Sequence, residues 1–193
     1  MVGDSLRIDV IDNGGQWTHR EWRVLKNLGV ESEIRPNTVS PQELDNLDGL
    51  VLSGGAPSIV SELEKLGNIS DMMDRHSFPF LGICVGAQFI ALKFGGKVGP
   101  GSTPEYGGTR ISFHDTGGIF NGIPGAITAW ENHNDEIKEL SGDFVLAGSS
   151  DTCMVQAFYH RTKPYYGVQF HPEVRNTEFG EQIFNNFIEV CKK

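Results

Sequence analysis

The sequence has 193 residues, 16 Lys+Arg against 25 Asp+Glu, and a formal net charge of −9. That length makes one domain, residues 1–193, able to bury about 70% of its unfolded surface, and the acidic balance without a Lys/Arg cluster argues against a nucleic-acid binder. Cys84, Cys153 and Cys191 form no CxxC pair, so neither a disulfide framework nor a thiolate metal site fits. The longest apolar run, Phe78–Phe94, is interrupted by Pro79, Gly82, Gly86, Gln88 and Lys93 and cannot span a membrane. The opening residues carry no cationic region followed by an apolar stretch, so the expected location is a reducing cytoplasm.

Taken in chain order, Leu6–Ile11 predicts a strand that ends in the turn Asp12-Asn13-Gly14-Gly15. Trp22, Leu25 and Leu28 have helical spacing within His19–Leu28. Strands follow at Glu31–Arg35 and Gly49–Leu52, the latter closing on Ser53-Gly54-Gly55. Helices are predicted over Ile59–Leu66 and part of Ile69–Arg75, then a strand at Phe80–Cys84 that runs directly into a helix at Gly86–Phe94. Alternating strands and helices imply βαβ units and a parallel sheet. Beyond that point short strands at Thr109–Phe113, Ile127–Trp130, Phe144–Ser149, Met154–Phe158 and Tyr165–Phe170 read as an antiparallel extension. A closing helix at Thr177–Val190 places Phe179, Ile183, Phe187 and Val190 on one face. The fold class is therefore α/β: a single domain with a mostly parallel open sheet flanked by helices, extended by antiparallel strands.

Gly82-Ile83-Cys84-Val85-Gly86 has the spacing of a nucleophile elbow with cysteine in the nucleophile position. A strand turning sharply into a helix crowds the positions two residues either side, which explains both glycines. The helix dipole favours a thiolate at Cys84, and the Val85 amide faces the place where an oxyanion forms. On the pentapeptide alone a buried core cysteine is an equal alternative. Cys153 and Cys191 lack such surroundings and read as passive.

A thiol nucleophile needs a base and the base an orienting partner. His171-Pro172-Glu173 follows a strand end, where Pro172 fixes the backbone and Glu173 can hold the imidazole. His133 is the rival base, in the polar and loop-like run Trp130-Glu131-Asn132-His133-Asn134-Asp135. His19, His76, His114 and His160 read as solvated, and no metal-ligand spacing rises above chance. Adjacent glycines after the third strand, Gly54 and Gly55, can turn backbone amides toward a ligand or an oxyanion.

Gly-Ile-Cys-Val-Gly-Ala-Gln followed downstream by His-Pro-Glu resembles the class I (triad) glutamine amidotransferase family, whose fold is flavodoxin-like. The resemblance covers nearly the whole chain, and the opening IDNGGQWTHREWRVLKNLGVE is similar to the branch that serves archaeal GMP synthase as a separate glutaminase subunit. It implies Cys84 as nucleophile, His171 as base and Glu173 as its orienting carboxylate. It implies oxyanion donors at Gly55 and Val85, and glutamine contacts at Gly54, Gln88, Asn132, Asn134 and Asp135. It also implies no cofactor or metal on this chain, with ATP and magnesium on a partner synthetase that aminates XMP to GMP. Two positions depart from the pattern: Ala56 precedes Pro57 where proline usually follows the glycines, and Asn132 replaces a serine. An amidotransferase subunit of anthranilate or aminodeoxychorismate synthase, a stand-alone hydrolase of small amides or γ-glutamyl compounds, and a silent regulatory subunit stay open as alternatives.

Overall fold

A computed structural model describes residues 5–193. Its nine strands form one sheet: β1 Ile8–Asn13, β2 Ile34–Pro36, β3 Gly49–Gly55, β4 Phe80–Ile83, β5 Lys97–Phe113, β6 Ala126–Glu139, β7 Phe144–Ser149, β8 Ala157–His160 and β9 Tyr165–Val168. The spatial order is β2-β1-β3-β4-β9-β8-β7-β5-β6. From β2 to β9 neighbours run parallel, and from β9 to β6 they run antiparallel.

Four α-helices cover the sheet: α1 Thr18–Asn27, α2 Ile69–Arg75, α3 Val85–Lys93 and α4 Gly180–Cys191. The central parallel strands are buried on both sides, as strands sandwiched between helices must be. On one side Val10, Val51, Leu81 and Ile83 pack with Leu25, Ile183, Phe184 and Phe187. On the other, Leu50, Leu52 and Phe80 pack with Met72, Met73 and Ile90. Neither α2 nor α3 is long and apolar enough to cross a membrane, nor is any other helix among the described residues.

Several expected elements differ. The segment Ile59–Leu66 forms a helical turn only at Leu63–Leu66, and Glu31–Arg35 shrinks to Ile34–Pro36 with a bridge at Glu31. The Thr109–Phe113 and Ile127–Trp130 strands are the end of β5 and the start of β6, which pair from Lys97 to Ser112 and carry register shifts near Val98 and between Pro100 and Glu105. Met154–Phe158 begins pairing only at Ala157, and β9 is parallel to β4 although antiparallel to β8. The closing helix starts at Gly180, so Phe179 belongs to its cap: it has φ 58° and is 48% exposed. His160 is buried against Phe94, Phe144 and Tyr165, and the side chain of His76 is packed beside Phe78. Neither is solvated as expected.

The topology decides where chemistry can occur. Strands β3, β4 and β9 are adjacent and parallel, so their carboxyl ends emerge together. Those ends carry Ser53-Gly54-Gly55, Cys84 and His171, the arrangement by which open α/β sheets build ligand crevices.

Candidate active site

Cys84 caps α3 with φ 49° and ψ −110°, a conformation a non-glycine residue adopts only at a cost of about 1–3 kcal/mol. Its neighbours hold it there. The Cys84 amide donates to Val168 O on β9 at 2.8 Å, and its carbonyl accepts from Gln88 N at 3.0 Å. A Cβ on Gly82 would lie 2.6 Å from the Gly86 and Ala87 backbone, and one on Gly86 would lie 2.2 Å from Leu52 O. Both glycines of the pentapeptide are therefore steric requirements of the turn. The core alternative for Cys84 is only half right: the residue is 7% exposed but lines two cavities.

His171 follows β9 and its amide donates to Trp130 O at 2.9 Å. Its Nδ1 donates to Glu173 Oε1 at 2.7 Å, and both side chains are buried. That bond fixes the tautomer and leaves Nε2 unoccupied by Glu173, and His171 and Cys84 line the same cavity. Burial opposes the imidazolium, but Glu173 and the Cys84 sulfur outweigh it and hold His171 well above the usual histidine range. The Trp17 indole meets the imidazole edge-on, with centroids 4.5 Å apart. Thr177 Oγ donates to the His171 carbonyl at 2.6 Å and clamps the turn from the other side. Gly54 is a third steric requirement: a Cβ there would lie 2.9 Å from His171 Cε1.

Two cavities, each of about 320 Å³, meet at Cys84. The first is strongly polar in its lining and takes in Gly55, Val85, Gln88, Asn132, Asn134 and Asp135. Six of the seven residues expected for oxyanion or glutamine binding thus share one wall. Gly54 does not; it lines the second cavity, with Trp17, Glu21 and His171. Gln88 Nε2 donates to the Asp135 carbonyl at 2.8 Å and to Gln169 Oε1 at 3.2 Å, while Gln169 Nε2 approaches the Cys84 sulfur at 3.6 Å. Ser58 Oγ donates to Asp135 Oδ2 at 2.6 Å and ties the loop beyond Ala56 to this wall. Ala56 lines both cavities, so the displaced proline leaves the glycine turn in place.

His133 is not a loop residue. It lies in β6, buried, with Nε2 2.9 Å from Glu105 Oε2 and 3.3 Å from Glu131 Oε2, and Nδ1 3.1 Å from the Asp135 carbonyl. Both ring nitrogens face acceptors, so both must carry protons. Burial opposes that charge, but the two carboxylates raise His133 to about 10. Glu105 accepts further bonds from Ser150, Thr152 and Gln156; against burial, His133, Ser150 and Thr152 lower it to about 2. A ring with both nitrogens bonded cannot serve as the base for Cys84, which removes the rival assignment.

Glu105, His133 and Cys153 gather three metal-type donors that sequence spacing missed. Their chemistry does not suit a cation, because the Glu105 oxygens and both His133 nitrogens are already hydrogen-bonded and burial pushes the Cys153 thiol up. Sequence reasoning also passed over Trp17, Glu21, Gln169 and Thr177. Trp17 and Glu21 fall inside the opening run that carries the resemblance, which assigns them no role, and Gln169 and Thr177 carry no motif signal.

Comparison with known proteins agrees with this geometry. Residues 9–191 match the family model "Glutamine amidotransferase class-I". The glutamine-hydrolysing GMP synthase subunit of Thermoplasma acidophilum is 60% identical over 186 residues, covering 96% of this chain and 93% of the relative. The protein of the same description from Thermococcus kodakarensis is 46% identical, covering 95% and 98%. A crystal structure described as that of a GMP synthase subunit from Thermoplasma acidophilum superposes with a TM-score of 0.94 at 59% identity, covering 97% of this chain and 94% of that one. A glutamine amidotransferase structure from Thermotoga maritima shares the fold, with a TM-score of 0.76 at 20% identity and coverage of 97% and 82%. With its elbow cysteine, its buried histidine–glutamate pair and these relatives, the chain belongs to the class I glutamine amidotransferase family.

Proposed function

We propose that this chain hydrolyses L-glutamine to glutamate and ammonia through a thioester on Cys84, and feeds the ammonia to a separate ATP-dependent synthetase that converts XMP to GMP. The observation that carries the reading is the strained Cys84 elbow, set against the buried His171–Glu173 pair and open to a polar cavity. The partner reading is supported by relatives named as glutamine-hydrolysing subunits of GMP synthase, whose length this chain spans almost fully.

In this mechanism the glutamine amino-acid end lies against Gln88, Asn132, Asn134 and Asp135, and the side-chain amide reaches Cys84. The thiol proton already rests on His171 Nε2, where Glu173 and the sulfur favour the imidazolium, and the Cys84 thiolate attacks the amide carbon. The resulting oxyanion accepts hydrogen bonds from the Gly55 and Val85 amides, preorganised donors of the kind that dominate acyl-transfer catalysis. His171 then gives its proton to the nitrogen, the C–N bond breaks and ammonia leaves, with a glutamyl thioester remaining. A water loses a proton to His171 and attacks the thioester; the C–S bond breaks, glutamate departs and the thiolate–imidazolium pair is restored. Glu173 keeps Nδ1–H occupied throughout, so the imidazole cycles on Nε2 alone. The scheme needs no cofactor or metal on this chain; ATP and magnesium serve the synthetase.

The test is ammonia release from glutamine by the purified chain, with and without a candidate synthetase loaded with ATP and xanthylate. We expect slow release alone, faster release with the loaded partner, and GMP as the product. Absence of glutamine hydrolysis in both conditions would overturn the reading.

A further inference from the structure

The cavity on the Trp17 side of Cys84 takes in none of Gln88, Asn134 and Asp135, and it holds a buried acid. Glu21 lies on α1, is 1% exposed and lines that cavity together with Cys84, Gly54 and His171. Its Oε1 accepts the Gly54 amide hydrogen at 3.3 Å. Its Oε2 is buried with no hydrogen-bond partner, and among the described residues Glu21 forms no ion pair. The nearby charged groups are Glu173, His171 and Cys84, of which Glu173 and the Cys84 sulfur are anionic when ionised.

We infer that Glu21 is a neutral carboxylic acid and a positioning residue for turnover, fixing the Gly54 turn through Oε1 and offering Oε2–H to a water- or ammonia-sized molecule in the second cavity. This inference rests on the glutaminase reading of Cys84. Two physical arguments support it. An isolated buried carboxylate costs several kcal/mol, and proteins normally avoid that cost by neutralising the group. A neutral acid must then place its proton on an acceptor, and a buried oxygen with no partner in the protein leaves the cavity as the place for one. Burial and the Glu173 charge favour the protonated form and outweigh the opposing His171 charge and Gly54 hydrogen bond, moving Glu21 well above the usual carboxylate range.

The position fits a step after glutamine has bound. Gly54 connects Glu21 to the amide turn that carries Gly55, and a Gly54 Cβ would already touch His171. The cavity joins Cys84 and His171 on the face away from Gln88 and Asp135, where a water can accept from Glu21, donate to His171 and reach the thioester. Ammonia leaving Cys84 can occupy the same place, since it is also a small acceptor.

Glu21→Gln keeps an acceptor for Gly54 and a donor for the cavity, so it mimics the neutral acid; Glu21→Leu keeps only the volume. We expect Glu21→Gln to retain kcat and KM within about twofold of the unaltered chain. Glu21→Leu should keep KM but lower kcat about 10- to 100-fold, the loss that follows small misplacement of reacting groups. Acid-quenched samples of that variant should hold more acylated Cys84 than the unaltered chain. The infrared spectrum of the unaltered chain should show a protonated-carboxyl C=O band that disappears in Glu21→Gln. Absence of that band, its persistence in Glu21→Gln, a Glu21→Gln variant as impaired as Glu21→Leu, or a loss expressed in KM would each overturn the inference. If Glu21→Leu does not fold, the Glu21→Gln kinetics and the infrared band still decide. Failure of the unaltered chain to hydrolyse glutamine would instead count against the underlying function, since the infrared band reports on Glu21 without turnover.

Discussion

Gly54→Ala adds one methyl group at the point where the glycine turn meets the imidazole. The new Cβ would lie 2.9 Å from His171 Cε1, 3.7 Å from His171 Nδ1 and 3.7 Å from Cys84 Cβ. Ordinary contact begins near 3.4 Å, so the ring must retreat by about 0.5 Å. It cannot do so freely, because Nδ1 is bonded to Glu173 at 2.7 Å and Trp17 packs against its edge. A misplacement of about 1 Å costs about 100-fold in rate, so half of that corresponds to about tenfold, or about 1.4 kcal/mol on the barrier. Steady-state ammonia release should show kcat reduced about 10- to 100-fold. KM should hold, because Gly54 does not line the glutamine-side cavity. Thermal melting should show a folded variant, since this glycine does not use a left-handed φ. A Gly54→Ala enzyme with kcat within about twofold of the unaltered chain would refute the packing argument for His171 placement.

Glu173→Ala removes the partner of Nδ1 without touching bond-making atoms, and should lower kcat about 100-fold, less than Cys84→Ala does, in the same assay. Gly82→Ala forces a Cβ to 2.6 Å from the Gly86 and Ala87 backbone and should destabilise the chain by about 1–3 kcal/mol, read from chemical denaturation. The His133–Glu105 pair makes stability depend on pH in two windows. His133 is raised in the folded state to about 10, so its contribution is complete below the unfolded value of 6.5 and fades as pH rises through 10. Glu105 is lowered to about 2, so its contribution is complete above the unfolded value of 4.5 and fades as pH falls toward 2. Melting temperature followed from pH 6.5 to 10 should fall less steeply in His133→Asn than in the unaltered chain; parallel curves would contradict the assignment of a buried imidazolium.

The parallel half of the fold was legible because its signals are local. The apolar runs of β3 and β4 are bounded by glycine turns, and the elbow spacing between Gly82 and Gly86 reports a steric constraint within five residues. The long β5–β6 hairpin was shortened by sequence reading for an equally physical reason. Its Lys97–Gly108 portion is rich in glycine and proline, and Trp130–Glu136 is nearly all polar, although Glu131, His133 and Glu136 turn out to be buried. His133 pairs across strands with Glu105 and Glu136 accepts from Lys138 along β6, and polar pairing of that kind leaves no mark on hydrophobic periodicity. Glu21 was hidden similarly: an acid within an amphipathic helix reads as solvated, and only packing of α1 over the Gly54 turn buries it. Trp17 supports His171, and Gln169 supports Cys84, from elements far apart in sequence, whereas Thr177 braces His171 from six residues on through a side-chain bond that no spacing announces.

The central claim is that Cys84 forms a covalent glutamyl intermediate while His171 and Glu173 drive its formation and hydrolysis. The most direct measurement is acid-quenched peptide mass spectrometry after mixing with isotope-labelled glutamine, run beside the Cys84→Ala variant. The account predicts a labelled glutamyl adduct on the peptide containing Cys84, and neither adduct nor ammonia release in Cys84→Ala. An adduct on another residue, or near-normal ammonia release by Cys84→Ala, would contradict it.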